Sequence, residues 1–166
     1  MPLLDIGNVN QMTGIVCFAL ATGACVLAAR CGRRAWPMLA WMQAAFCLEI
    51  VINARHRLHD VVDDVLRDHG WYAARTPWQI GLLAVIALLA IACVPIAWRM
   101  ARGDRLATIA LSASLVVATS LTVEAVSLHG VDTWMYAPVG PLLAVVVGWI
   151  AASLVVIAAA LGSVRR

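Results

Sequence analysis

Five apolar runs dominate this chain, and each is long enough to cross a lipid bilayer. They are Met12–Ala29, Ala35–Ala54, Pro77–Trp98, Leu106–Leu128 and Pro138–Leu161, between 18 and 24 residues each. A helix rising 1.5 Å per residue needs about 20 residues to traverse about 30 Å of hydrocarbon. Only two acidic or basic side chains interrupt the runs, Glu49 in the second and Glu124 in the fourth. Hydrophobic residues make up 63% of the 166 and charged residues 13%, and a soluble domain has no interior large enough to hide that much apolar surface. The expected fold is an all-α membrane protein, one integral domain over 1–166 built as a five-transmembrane-helix bundle. Nothing basic precedes the first run, while Arg30, Arg33 and Arg34 follow it, so it reads as a retained span and not as a cleaved leader.

The arginines give an orientation. Arg30, Arg33, Arg34, Arg99, Arg102, Arg105, Arg165 and Arg166 fall on one side of the five runs, against Arg55, Arg57, Arg67 and Arg75 on the other. Basic residues flanking spans stay on the cytoplasmic side, so the chain is expected N-out and C-in, in a bacterial-type inner membrane. Trp36, Trp41 and Trp98 would then mark the inner interface, and Trp71, Tyr72, Trp78, Trp134 and Tyr136 the outer one. The arginines come in short groups with no continuous basic face, which argues against nucleic-acid binding.

All four histidines and six of the seven aspartates lie on the expected outer side. Most are in His56–Tyr72, HRLHDVVDDVLRDHGWY. No Pro or Gly separates Pro37 from Gly70, so the second helix is expected either to continue outward through this segment or to be followed by an amphipathic helix over 55–70. His56 with Asp60 and His59 with Asp63 are i,i+4 pairs, a spacing that sets imidazole and carboxylate side by side as metal ligands. Leu58, Val61, Val62 and Val65 form an apolar stripe of their own, suited to a membrane surface or a partner protein, with the charged face left in water. His69 before Gly70 fits a helix C-terminus.

A carboxylate inside a span costs about 2.5 kcal/mol or more and normally faces the protein interior. Glu49 and Glu124 sit at similar depth in the outer halves of their spans, and the fourth leads directly into His129 and Asp132. Glu49, His56, His59, Glu124 and His129 are therefore the expected ligands of a metal site, with Asp60 and Asp132 orienting them or adding ligands. Iron, zinc and manganese all accept such a set, and haem fits less well. The expected function is metal-dependent chemistry on a lipid-soluble substrate reaching the site from the bilayer. Two alternatives stand beside it: a non-catalytic subunit or scaffold docking a protein partner or a second copy through the 58–66 stripe, and a proton or ion pathway through Glu49 and Glu124.

Overall fold

The computed structural model describes residues 8–71, 75–126 and 133–165. Six helices account for most of them: α1 (Val9–Ala29), α2 (Ala35–Ile52), α3 (Ala54–Asp68), α4 (Arg75–Ala101), α5 (Arg105–Val126) and α6 (Ala144–Val164). Among the described residues α1, α2, α5 and α6 carry segments long and apolar enough to cross a membrane. These four close into a ring in which α1 touches α2 and α6, and α5 touches α2 and α6. Helix α4 lies outside the ring, with α5 as its main neighbour, and α3 packs on α5 as well.

The ring has two differently built ends. At the arginine-rich end the buried residues are mostly small, including Ala21, Ala24 and Ala28 of α1, Ala107 and Ala110 of α5, and Ala159 and Ala160 of α6. Small side chains let helix backbones approach closely, which is how helices associate where lipid removes the hydrophobic drive. At the opposite end Phe18, Ile50, Leu121 and Trp149 fill the interior, with Phe18 tilted against Phe46 and Trp149 at centroid distances of 5.6 and 6.0 Å. A Cβ at Gly14 would meet the Trp149 ring at 3.2 Å, so α1 passes here with no room for a side chain.

The helix ends follow local chemistry. The Asn8 side chain accepts from the N–H groups of Asn10 and Gln11 and caps α1. A turn through Gly32, at φ +78°, brings the chain back as α2. Helix α2 does not run on to Gly70. Asn53 takes the left-handed conformation, φ 56° and ψ 42°, and its N–H closes the last turn on the Glu49 carbonyl at 2.7 Å. Helix α3 then starts in a new direction, so the second of the two expected arrangements holds. It ends in a Schellman motif: Trp71 N–H donates to Leu66 O and Gly70 N–H to Arg67 O, with Gly70 at φ +69°.

Pro138–Val139 and Leu142–Leu143 form a two-stranded antiparallel hairpin, β1 and β2, turning at Gly140. The last membrane helix thus begins at Ala144 and not at Pro138, because the six residues before it are committed to the hairpin, four in its strands and two in its turn. Asn10 Oδ1 accepts from the Leu143 N–H at 3.0 Å and ties the hairpin to α1.

Asp104 fastens the arginine-rich end. Its Oδ1 accepts from the N–H groups of Leu106 and Ala107 and caps α5. Its Oδ2 accepts from the Arg33 guanidinium at 3.0 Å and from the Trp36 indole at 3.3 Å. One carboxylate thereby joins the α1–α2 turn, the first turn of α2 and the start of α5. Trp36 is consequently fully buried and not an interfacial belt residue, whereas Trp41 and Trp98 are exposed as expected. Burial alone would raise the Asp104 pKa, but the Ala107 N–H, the Arg33 guanidinium and the Trp36 indole outweigh it and hold it below its ordinary 3.8. A depressed folded-state pKa contributes stability above the unfolded value that is lost as pH falls through the folded one. Asp104→Asn is accordingly expected to lower the melting temperature in detergent most at neutral pH, with the gap to wild type closing below pH 3.8. Parallel melting curves across that range would contradict the assignment.

Candidate functional site

The left-handed turn at Asn53 decides where the histidine-bearing helix goes. A continuous helix would have carried His56 and His59 away from the bundle into water. Instead α3 folds back against α5, the helix that bears Glu124. Leu66 of α3 is buried, while Arg57, Asp60, Val61, Asp64, Val65 and Arg67 are exposed. Helical phase explains this division, since the exposed residues fall on one broad arc and Leu66 lies opposite. His59 precedes Leu66 by seven residues, two turns, and so shares its register on α3. The apolar stripe is open at Val61 and Val65, the face expected to meet a membrane surface or a partner, while α3 docks through Leu66. The side chains of His56, His59, Leu58, Val62 and Asp63 lie outside the described residues, as do His129 and Asp132 altogether.

Glu124 is buried at 4% exposure and Glu49 is half-buried. Both are engaged with a partner. Ser120, one turn from Glu124, donates its hydroxyl hydrogen to the Val117 carbonyl at 2.8 Å. Thr119, Ser112, Thr13 and Thr22 likewise donate to carbonyls of the preceding turn, which is how hydroxyls sit in apolar helices without a cross-helix partner. Asp60 is exposed on α3. Among the described residues no three His, Cys, Asp or Glu side chains group at metal-binding distance; the expected ligands His56, His59, His129 and Asp132 are not part of that comparison.

His69 occupies the C-terminal cap of α3 and its Nδ1 lies 2.9 Å from the Val65 carbonyl. The tautomer protonated at Nδ1 donates that bond. Its ring also stacks at 5.6 Å from Trp71. This histidine is a cap, as its place before Gly70 led one to expect.

Two apolar grooves, of about 310 and 460 Å³, run along α5 and share Val116, Ser120 and Met135. The smaller reaches Trp134, Gly148 and Trp149. Ser120, which lines both, is one helical turn from Glu124, and Val123 beside Glu124 in sequence lines the larger.

A polar pair absent from the sequence expectations lies between the two apolar ends. Gln43 Nε2 of α2 donates to Ser114 Oγ of α5 at 2.9 Å, and Ser114 donates onward to the Ala110 carbonyl. Both are at most 1% exposed. The signal was available, since Gln43 is an amide in the middle of the second apolar run, ten residues before Asn53 near its end. In a bilayer interior such a bond holds two helices in register. Cys25 is buried in the small-residue end of the core, where a thiol acts as a small apolar group.

The fold is that of a helical membrane-spanning protein. Neither family models, curated proteins nor solved structures match the chain, so its chemistry has to be argued from its own residues.

Ser114→Ala removes the acceptor of a buried amide and is expected to cost about 1–3 kcal/mol. The double variant Gln43→Leu/Ser114→Ala leaves no orphan and is expected to recover most of that in equilibrium unfolding. Equal losses in the single and double variants would argue against the bond.

Proposed function

We propose that the chain is a five-span protein of a bacterial-type inner membrane, N-out and C-in, that binds a metal ion at its outer end and acts on a lipid-soluble substrate. Helix α4 is taken as the fifth span, on the strength of its length and apolar sequence. The eight-to-four division of arginines supports the orientation. The observation that carries the metal site is the packing of α3 on α5, since it brings the HxxHDxxD helix to the helix in which Glu124 is buried. Glu49, His56, His59, Glu124 and His129 are the proposed ligands, with Asp60 and Asp132 orienting them or adding ligands.

Iron, zinc or manganese would each suit this His and carboxylate set, and any of them supplies Lewis acidity and an activated water. The protein's part is to hold the carboxylates in an interior that excludes bulk water. The grooves along α5 offer an apolar route to that interior from the side of the bilayer. A proton path through both glutamates has less support, because the arginine-side halves of the runs contain no acidic, basic or imidazole side chain to continue it and hold the neutral pair Gln43–Ser114 at mid-span.

Elemental analysis of the purified full-length chain tests the proposal. About one or two equivalents of one transition metal are expected per chain, falling well below one in Glu124→Gln and in His56→Ala/His59→Ala, with thermal unfolding of each variant showing that it folds. Wild-type protein that holds no metal after anaerobic reconstitution with iron, zinc and manganese in turn would overturn it.

A second role, as a subunit or scaffold, is favoured by one different observation: Val61 and Val65 of α3 are 59% and 51% exposed on the same end. Val61→Asp/Val65→Asp would then abolish a co-purifying partner or self-association while leaving metal content unchanged. Unaltered assembly would dismiss that role.

A further inference from the structure

The opposite end of the molecule carries a second site, unrelated to the histidines. An open groove of about 720 Å³ lies between the start of α2 and the end of α4, within the usual range of about 300–1,000 Å³ for ligand sites. Four guanidinium groups line it, Arg33 and Arg34 from the α1–α2 turn, Arg99 from the end of α4 and Arg102 from the α4–α5 turn. Asp104 is the one carboxylate among its walls, and it is already committed. Its two oxygens accept from two backbone N–H groups, the Trp36 indole and Arg33. Arg34, Arg99 and Arg102 make no ion pair or hydrogen bond among the described residues. Three solvent-facing positive charges therefore share one concavity without protein counter-charge, and their summed field favours entry of an anion.

The same groove receives the beginning of α2. Arg34 stands at its N-cap with helical backbone angles and no side-chain cap, and Ala35 lines the groove. In that first turn the Trp36 N–H donates to the Arg33 carbonyl and Pro37 has no N–H, so the 18-residue helix adds the Ala35 N–H and the positive end of its dipole to the guanidinium charges. Planar guanidinium forks match the paired oxygens of a phosphate. The groove's position narrows the source of that phosphate. Trp98, immediately before Arg99, is 53% exposed, and Ile91 and Val94 on the same helix are exposed as well. A lipid whose headgroup sits among the arginines would lay its acyl chains along these residues.

We propose that this groove binds the phosphate of an anionic phospholipid. The ligand would bridge the end of α4, whose main protein neighbour is α5, to the start of α2. It would thereby fasten the outlying helix to the ring.

The test uses the full-length chain in a neutral detergent, titrated with phosphatidylglycerol or with phosphatidylcholine and followed by thermal unfolding and by phosphorus retained after gel filtration. Phosphatidylglycerol is expected to raise the melting temperature saturably and phosphatidylcholine is not. Arg34→Gln/Arg99→Gln/Arg102→Gln is expected to weaken the half-saturating concentration tenfold or more, and Arg165→Gln, at the same end but outside the groove, to leave it within twofold. Should the triple variant not fold, Arg99→Gln alone is expected to weaken it at least threefold. Wild-type affinity in these variants would overturn the site, and an equal loss in Arg165→Gln would reduce it to diffuse surface charge. Inorganic phosphate or glycerol 3-phosphate reproducing the stabilisation would show a soluble phosphate compound as the ligand and overturn the lipid assignment.

Discussion

The left-handed backbone at Asn53 is the constraint on which the histidine-bearing end depends. That conformation costs an ordinary L-residue about 1–2 kcal/mol, and asparagine tolerates it better than most because its short polar side chain bonds locally. The turn keeps its hydrogen bonds: the Asn53 N–H donates to Glu49 O, and its carbonyl accepts from the Arg57 N–H at 3.3 Å. One helix axis ends and another begins within a single residue, and the new axis lies on α5. Had the first axis continued, α3 would stand in water and not on α5.

The two ends of the bundle obey one rule with opposite signs of charge. Lipid satisfies no polar group, so ionisable side chains collect where the helices stop, and each must then find a partner, a ligand or water. At the arginine end one carboxylate, Asp104, organises three elements and leaves three guanidinium groups open to an anion. At the other end the carboxylates lie deeper, in α2 and α5, and the imidazoles come from shorter elements beyond the spans. Between them the described residues hold neutral polarity: the Gln43–Ser114 bond, hydroxyls bonded to their own helices, and the buried Ser153.

Much of the fold was legible in the sequence because hydrophobic length is a cumulative property. The runs gave the cores of all the long helices, and His69–Gly70 gave the end of α3. Single-residue events were not legible in the same way. Nothing between Pro37 and Gly70 breaks a helix by composition, so the turn at Asn53 left no mark except an asparagine. Pro138–Leu143 was counted with the last span since hydropathy does not register strand pairing, although Gly140 and Pro141 are turn residues. Trp36 resembled its interfacial neighbours until Asp104, 68 residues away, gave its indole a partner. The stripe of Leu58, Val61, Val62 and Val65 left out Leu66, the residue through which α3 docks on the bundle. Of the candidate site, the burial of Glu124 followed from its place in an apolar run, while the packing of α3 on α5 depended on the one conformation that composition cannot reveal.

The most direct measurement of this account is the distance between α3 and α5 in the intact protein. Nitroxide labels at Asp64→Cys and Thr119→Cys, in a chain with its native cysteines replaced, would report it by pulsed electron spin resonance. A single short, narrow distance is expected, broadening toward longer values in Asn53→Ala as the left-handed turn loses its preferred residue. A wild-type distance longer by about 20 Å, as a straight continuation of α2 would give, would contradict the docking of α3 and with it the assembly of the proposed site.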